Sequence, residues 1–243
     1  MSDTVRIVAI GDTHGLHEGL QVPEGDILIH AGDLTAYGEL GQVRAFDALL
    51  GELPHRHKVV IAGNHDFCFE RQPREARATL TNCIYLQDEA VTLMGLQFYG
   101  SPWQPWFYDW AFNLQRGPEI RAKWDLIPAG TDVVVTHGPP WGHGDLTDRG
   151  EQVGCQDLLA AVRRIRPALH LFGHIHEGYG LTREGNTVCV NASICNARYQ
   201  PINRPVVLLM ERDRSGWRVG GSVPSAELAG GVRAEPDGRD SVR

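Results

Sequence analysis

The sequence lacks any long apolar run. Its longest, such as VRIVAIG and PVVLLM, are far shorter than the ~20 residues that a membrane helix needs. Its N-terminus lacks a basic segment followed by an apolar one, so no signal peptide is expected. Its five cysteines are an odd number without a C-x-x-C pair, which is typical of reduced thiols in the cytosol. We therefore expect a cytoplasmic protein that makes no contact with a membrane.

Positive charge is also scarce, since the formal net charge is -7 at pH 7. Surfaces that neutralise nucleic-acid phosphates are normally basic, so we do not expect a nucleic-acid partner. A small anionic substrate stays compatible with this charge, because bound metal ions reverse the sign of the potential inside a cleft. The chain also lacks a G-x-S-x-G elbow, a G-x-x-x-x-G-K phosphate loop and a dinucleotide-binding fingerprint.

What the chain does contain is a series of short, β-branched apolar runs, typical of strands that are buried on both faces. They lie at 5–11, 26–32, 58–63, 132–138 and 168–174, with further strand-like segments at 91–100, 187–192 and 205–210. Apolar residues with helical spacing lie between them at 39–53 and 154–167, and each of these segments is closed by a proline. Strands that alternate with helices predict an α/β fold with mixed sheets.

Neither an internal repeat nor a linker divides the chain. We expect one domain over residues 4–221. The remaining residues, 222–243, are rich in glycine and charge and contain few large apolar side chains, which predicts a disordered tail.

Each of the five main apolar runs is followed by glycine and by side chains that bind metals. Carboxyl ends of strands form the ligand-binding rim of an α/β sheet, and glycine lets the backbone turn sharply there. A single Asp or His at such a place is usually a turn former or a packing residue, whereas five strand ends together predict one shared site. In chain order the blocks are GDTH, GD, GNHD, THGP and GHIH, which supply Asp12, His14, Asp33, Asn64, His65, Asp66, His137, His174 and His176.

The predicted ligands are carboxylates, an amide and imidazoles, without a thiolate. This set favours divalent ions such as Mn²⁺, Fe²⁺, Mg²⁺ or Zn²⁺ over copper(I) or an iron–sulfur cluster. The ligands are too many for one catalytic ion that keeps an open position, but they suffice for two ions that share a carboxylate. Two ions roughly 3.5–4 Å apart suit attack by a bound hydroxide on phosphorus. We interpret the other histidines as solvated or structural: His17, His30, His55, His57 and His170.

These five blocks, in this order and spacing, resemble the calcineurin-like metallophosphoesterase superfamily over residues 11–176. Several further segments, up to about residue 210, are similar to the metallophosphoesterase-domain-containing phosphodiesterases of the animal brain type: HAGDLTAYGE, IAGNHDF, YGSPWQPWF, FNLQRGPE, VGCQDLL and HEGYG. The resemblance implies a four-layer α/β/β/α sandwich of two mixed β-sheets flanked by helices, with the metals at the strand ends.

The same resemblance implies a role for each block. One metal would be held by Asp12, His14 and His176, the second would be completed by Asn64, His137 and His174, and Asp33 would bridge the two. Some animal relatives carry glycine at the position of His174, so the histidine here implies a complete centre. We expect two divalent ions, in the first place Mn²⁺, with Fe²⁺ or Fe³⁺, Mg²⁺ and Zn²⁺ as alternatives.

His65 and Asp66 are the predicted catalytic residues. The resemblance implies that His65 stabilises or protonates the reacting phosphate. Asp66 would orient His65, and the equal alternative for Asp66 is a simple helix cap.

The function implied is that of a phosphodiesterase which hydrolyses small diesters such as cyclic nucleotides, by attack of a hydroxide that bridges the two metals. Two alternatives stay open. One is a nucleotide-binding regulatory protein with low residual activity, and the other is a phosphomonoesterase or nuclease of the same superfamily. The expected partner is a small phosphoester, with nucleotides among the candidates, and the sequence does not indicate an oligomeric state.

Two loops supply weaker candidates for substrate contacts. In 101–113, Trp103 and Trp106 are candidates for stacking on a base, with local packing as the alternative. In 139–150, His143 and Arg149 are candidates for contacting a phosphate, with a plain exposed loop as the alternative.

Overall fold

The computed structural model describes residues 4–220, so the predicted tail and the last residue of the predicted domain lie outside the described residues. The first sheet has six strands in the spatial order β14-β13-β1-β2-β3-β4. Its neighbours β1 to β4 pair in parallel, whereas β13 is antiparallel to both β1 and β14. The strands are β1 (Thr4–Ile10), β2 (Ile27–Ala31), β3 (His57–Ile61), β4 (Ile84–Tyr85), β13 (Val206–Asp213) and β14 (Gly216–Val219).

The second sheet also has six strands, in the spatial order β11-β12-β10-β9-β6-β5. The central strands β12, β10, β9 and β6 pair in parallel, and the two edge strands are antiparallel to their neighbours. A separate two-stranded pair, β7 with β8, lies in the loop between β6 and the next helix. The strands are β5 (Glu89–Leu93), β6 (Leu96–Ser101), β7 (Gln104–Pro105), β8 (Asn113–Leu114), β9 (Val133–Thr136), β10 (Leu169–Phe172), β11 (Gly180–Glu184) and β12 (Thr187–Asn191).

Helices cover the outer face of each sheet. Since side chains alternate along a strand, Ile7 of β1 points between the two sheets while Val8 packs with Phe46 of a helix on the outer face. On the second sheet, Val134 packs outward with Trp124 in the same way. The helices are α1 (Leu40–Glu52), α2 (Phe67–Arg71), α3 (Pro73–Thr79), α4 (Pro118–Trp124) and α5 (Gln156–Ile165), with a 3₁₀ turn at His176–Gly178.

These layers confirm the predicted α/β/β/α sandwich of two mixed sheets. One segment differs from the prediction: the strand expected at 91–100 is a hairpin of β5 and β6, because the chain turns at Met94 and Gly95, which both have positive φ. All five cysteines are free. Within residues 4–220, none of the helices has the length and apolar character needed to cross a bilayer. The cytoplasmic location stays a prediction.

The two sheets meet at one rim. Because β1, β2 and β3 run in parallel, their carboxyl ends lie together, and the same holds for β9, β10 and β12 in the second sheet. A parallel bridge between Gly11 and Ser193 joins the two sets of strand ends, and the N–H of Ile194 donates to the Gly11 carbonyl at 2.9 Å. The segments that follow the strands therefore converge from both sheets.

Candidate metal centre

Carboxylate and imidazole atoms from these strand ends form three groups, and within each group all ligand atoms lie within 4.8 Å of one another. Asp33 belongs to two of the groups, as does Asp12, and every member is buried. A carboxylate that is shared by two metal ions must lie near the ligands of both, and membership in two groups meets this condition. The groups are Asp12, His14 and His176; His14, Asp33 and His65; and Asp12, Asp33 and His137.

Three of the imidazoles are oriented by backbone carbonyls. Nδ1 of His137 lies 2.9 Å from the Ala31 carbonyl, and Nδ1 of His176 lies 2.9 Å from the Asn196 carbonyl. A carbonyl oxygen can only accept, so each Nδ1 carries a hydrogen, and in the neutral ring Nε2 is the nitrogen that keeps its lone pair. His65 has the same arrangement, with its Nδ1 2.7 Å from a carbonyl. Fixing the tautomer through the remote nitrogen is how proteins prepare histidines as metal ligands.

The Nε2 atoms of His176 and His137 lie close to other candidate ligand atoms. Nε2 of His176 lies 3.1 Å from Nε2 of His14 and 3.5 Å from Oδ1 of Asp12. On the other side of the cluster, Nε2 of His137 lies 2.9 Å from Oδ1 of Asn64 and 3.3 Å from Oδ2 of Asp33. Nitrogen and oxygen atoms with lone pairs lie close together here, and too few hydrogens lie between them to pair them all by hydrogen bonds. Such an arrangement suits divalent metal ions, which accept the lone pairs.

His174 is less tightly placed than the other predicted ligands. It is partly exposed and belongs to none of the three groups, although it lines the same cleft as Asp33 and Asn64. Its ring centroid lies 5.0 Å from that of His137, and its backbone N–H donates to Oδ1 of Asp12 at 2.9 Å. Its predicted part in the second metal position stays a prediction.

Charge and burial set the protonation of the cluster. Burial alone would raise the pKa of Asp12 and Asp33, but the neighbouring histidines outweigh burial and lower both, His176 acting on Asp12 and His137 on Asp33. Burial lowers the pKa of His14 to about 4. For His137 burial also lowers the pKa, yet the Asp33 carboxylate overcomes this and raises it to about 9. Ionised carboxylates and a neutral His14 are the forms that bind metals.

The backbone at the site is strained. Asp12, His14, Asp33 and His174 have φ values of 49°, 46°, 57° and 67°, in the left-handed region that non-glycine residues rarely adopt. Each such residue costs of the order of 1–3 kcal/mol and persists only where the surroundings determine it. The strain turns four predicted ligands inward at the ends of their strands.

Two glycines leave room for the carboxylates. A Cβ atom on Gly173 would collide with Oδ2 of Asp12, and one on Gly63 would collide with Oδ1 of Asp33. Both glycines therefore meet a requirement for close approach, whereas the sequence interpretation expected them to allow a sharp turn; neither has a positive φ.

The carboxylate of Asp66 binds the backbone of two loops. Its buried carboxylate does not contact the His65 ring, and it makes no capping hydrogen bond to α2. It accepts N–H groups from Gly63, Leu34 and Thr35, at 2.8, 3.2 and 2.9 Å. Burial and the Asp33 carboxylate raise the pKa of Asp66 to about 6. Asp66 thus fixes the loops that carry Asp33 and His65, and its predicted part in orienting His65 for catalysis stays a prediction.

His65 itself faces the cluster. Its backbone N–H donates to Oδ1 of Asp33 at 2.8 Å, and its Nε2 lies 4.0 Å from Oδ2 of Asp33. Its Nδ1 donates to the carbonyl of Ala36, so Nε2 is the atom available to a ligand.

An open cleft of about 530 Å³ leads from the rim to the surface, a size that suits a small ligand. Trp106 and Arg149 line it, as predicted, and Trp106 is 54% exposed. Neither Trp103 nor His143 lines the cleft, so Trp103 agrees with the alternative of local packing. Nε1 of Trp103 donates to Asp88 at 2.9 Å, and its ring packs against the core.

His143 lies outside the cleft because polar side chains bind both of its ring nitrogens. Its two ring nitrogens lie 3.0 Å from Oγ1 of Thr182 and 3.2 Å from Oε2 of Glu184, which tie its loop to β11. Two histidines interpreted as structural are placed accordingly: His30 pairs with Thr13 and His170 with Thr136.

The sequence interpretation missed residues that follow β12. Oγ of Ser193 donates to Oδ2 of Asp12 at 2.7 Å, and Tyr199 lies with its ring centroid 4.8 Å from that of His14. The signal that could have found them is the strand predicted at 187–192, because its carboxyl end reaches the same rim and is followed by Ser193.

A family model described as calcineurin-like phosphoesterase matches residues 5–178. This chain belongs to the calcineurin-like phosphoesterase family. Metallophosphoesterase domain-containing protein 1 of Homo sapiens is 46% identical in an alignment of length 235 that covers 86% of this chain and 72% of the human protein. A UPF0046 protein of Caenorhabditis elegans is 43% identical in an alignment of length 236 that covers 84% of this chain and 60% of the nematode protein.

Among solved structures, that of TT1561 of Thermus thermophilus aligns with a TM-score of 0.56 at 15% identity, over 89% of this chain and 98% of that one. At this identity the likeness concerns the fold alone, and it agrees with the two-sheet sandwich. Membership in the calcineurin-like phosphoesterase family places the chain among phosphoric ester hydrolases, whose fold holds two divalent metals, and the His/Asp cluster fits that requirement.

Proposed function

We propose that this calcineurin-like phosphoesterase is a phosphodiesterase that hydrolyses small diesters, cyclic nucleotides among them, with two divalent ions of which Mn²⁺ is the first candidate. The observation that carries the proposal is the sharing of Asp33 between two donor groups, with His65 beside them and an open cleft in front. Asp12, His14 and His176 would hold one ion, and Asn64, His137 and His174 the other, with Asp33 between them. When bound, such ions lower the pKa of water and neutralise charge on a phosphate.

His65 would handle the proton of the leaving alcohol. A water oxygen forms the new bond to phosphorus, the bond to the leaving oxygen breaks, and its electron pair stays on that oxygen. Nε2 of His65 faces the cluster, and in the imidazolium form of the ring it would be the atom from which that oxygen takes a proton, which solvent then returns to His65. The proton lost by the attacking water goes to solvent, so atoms and charge balance.

The chain prepares this step in two ways. The Ala36 carbonyl and the backbone bond to Asp33 fix the His65 ring, so the proton donor needs little reorganisation. Asp66 holds the two loops together from behind. The cleft accepts a small ester and is lined by apolar and polar groups of the loops at 105–110 and 147–153.

The test is a panel of Mn²⁺-dependent assays with cyclic nucleotides, an aryl phosphodiester and an aryl phosphomonoester. We expect diester hydrolysis that Asp33→Ala abolishes and His65→Ala reduces by about 10²- to 10⁴-fold, the usual range for a lost acid–base residue. A preference for the monoester would support the monoesterase alternative instead. Tight nucleotide binding without turnover of any ester would support the regulatory alternative and overturn the proposal. His57→Ala serves as the control, since His57 lies at the start of β3, outside the cleft.

A further inference from the structure

Three aromatic side chains converge on His65 from separate parts of the chain. Trp110 stacks on the imidazole with ring centroids 4.2 Å apart and 32° between the planes. The centroids of Tyr199 and Tyr37 lie 6.0 and 6.1 Å from that of His65. Packing does not account for the two tyrosines, since Tyr37 is 69% exposed and Tyr199 is 48% exposed. Exposed rings grouped beside a cleft are typical of a binding surface.

Tyr199 is held over the cluster by a strained turn. Its φ of 57° is unusual for a bulky residue, and its N–H donates to the Asn196 carbonyl at 2.8 Å. The Asn196 side chain accepts N–H groups from Arg198 and Gln200, which closes the turn. The same Asn196 carbonyl accepts from Nδ1 of His176. One residue therefore fixes both a metal ligand and the tyrosine above it, and strain of this kind clusters at functional sites.

Trp110 is held by the block that carries His65. The N–H of Ala111 donates to the carbonyl of Asn64 at 3.1 Å, and the Trp110 ring stacks on Phe67 with centroids 5.8 Å apart. Its position relative to His65 is thus set by both backbone and side-chain contacts. Both Trp110 and Tyr199 line the cleft that leads to the cluster.

We propose that Trp110 and Tyr199 form the subsite for the alcohol that leaves during hydrolysis, and that this subsite selects aromatic leaving groups. The inference rests on the proposed function, in which the leaving oxygen takes a proton from Nε2 of His65. An oxygen within hydrogen-bond reach of that atom carries its substituent into the part of the cleft that Trp110 and Tyr199 line. Contacts between aromatic rings stabilise a complex beyond the area they bury, so a planar ring gains more here than an alkyl group.

The experiment compares methyl phenyl phosphate with methyl hexafluoroisopropyl phosphate, with Mn²⁺ present. The two leaving alcohols have similar acidity, so the esters differ mainly in the aromatic ring. We expect the wild-type protein to have the higher kcat/KM for the phenyl ester, and Tyr199→Leu or Trp110→Leu to reduce the ratio of the two values by about 3- to 10-fold each. Tyr199→Phe should keep the ratio. Trp217→Leu is the matched control, because Trp217 lies on β14 and donates to the Gly95 carbonyl.

Each other outcome is decisive. Rings that merely support His65 would slow both esters equally when removed, and an unchanged ratio would therefore overturn the inference. A wild-type ratio of one would do the same while leaving the phosphodiesterase function intact. Hydrolysis of neither ester by protein that elemental analysis shows to hold its metal ions would overturn the proposed function together with the subsite.

Discussion

Oδ1 of Asp66 accepts the N–H of Thr35 at 2.9 Å and the hydroxyl of the same residue at 2.7 Å. This pair binds the loop after β3 to the loop after β2, and those loops deliver His65 and Asp33. The carboxylate is buried and lies behind the cluster, out of contact with the cleft. Its importance for activity is therefore that of a residue which positions others.

Asp66→Asn should lower the free energy of unfolding by about 1–3 kcal/mol, because an amide turns N–H groups toward backbone donors and leaves them unpaired. Urea denaturation measures the change. Asp125→Asn, at an exposed carboxylate 3.7 Å from Arg164, should change stability by at most a few tenths of a kcal/mol, since exposed ion pairs contribute little. Equal stability of Asp66→Asn and the wild type would contradict the positioning role.

Gly173→Ala should prevent the binding of metal, since the added methyl group would occupy the space of Oδ2 of Asp12. The measurement is metal content by elemental analysis after dialysis against Mn²⁺. The matched control is Gly41→Ala, a position inside α1 where a Cβ atom meets nothing within 4 Å. That control should bind metal normally and gain about 0.5–1 kcal/mol of stability. Full metal content in Gly173→Ala would show that Asp12 is not a ligand.

Asp33→Ala should lose most of both metal ions, whereas His176→Ala should lose mainly one. The reason is that Asp33 takes part in two donor groups and His176 in one. Removing a single ligand from a site commonly weakens metal binding strongly, so the difference in stoichiometry is measurable by titration with Mn²⁺ and elemental analysis. Loss of the same amount of metal from both variants would argue against a shared carboxylate.

A pH-dependent contribution to stability is expected from Asp47, far from the metal ligands. Burial raises the pKa of Asp47, but hydrogen bonds from Asn82 and Thr81 outweigh it and lower the pKa below its ordinary value of 3.8. The stabilisation is therefore present above pH 3.8 and is lost as the pH falls through the pKa of the folded state. Asp47→Asn should destabilise the protein by about 1–3 kcal/mol at pH 7.

The penalty of Asp47→Asn should shrink toward zero as the pH falls below 3.8, which urea denaturation at a series of pH values measures. Asp213→Asn is a useful comparison, since that exposed carboxylate bonds only to nearby Ser215 and Arg218. A penalty for Asp47→Asn that is constant with pH would show that the carboxylate charge is not what matters.

His143→Ala should reduce stability without changing KM for a small diester. Its ring contacts Thr182 and Glu184 and does not line the cleft. Arg149→Ala, which alters a lining residue on the same loop, is the informative comparison and should raise KM if the arginine meets the substrate phosphate. Steady-state kinetics and thermal unfolding of the two variants separate these effects.

The fold could be predicted from the sequence because its apolar residues follow clear strand and helix patterns. The run at 5–11 alternates between the two faces of its sheet, and every one of its apolar side chains is buried, as for Ile7 and Val8. Ligand convergence followed from topology, since parallel strands place their carboxyl ends together. The sequence predicted one strand where the structure has the hairpin at 89–101. The reason is that β5 and β6 form one nearly continuous apolar stretch around the turn at Met94.

The directions of side chains in the loops could not be predicted from the sequence. Trp103 and Trp106 lie three residues apart in the same loop, yet one packs on the core and the other faces the cleft, because β7 intervenes and pairs with β8. Asp66 looked like a partner of its neighbour His65, although it binds Gly63 nearby and Leu34 and Thr35 about thirty positions away. Contacts of that range depend on tertiary structure and have no local pattern.

Asp12 follows a strand of the first sheet and His176 follows a strand of the second, with 3.5 Å between Oδ1 and Nε2. Sheets packed face to face tolerate small relative slides when core residues change during evolution. Ligands of a bound ion do not, since their distances are held within about 0.2 Å. Core substitutions that shift one sheet against the other therefore separate the metal ligands. Selection for activity thus constrains core residues that never contact a substrate.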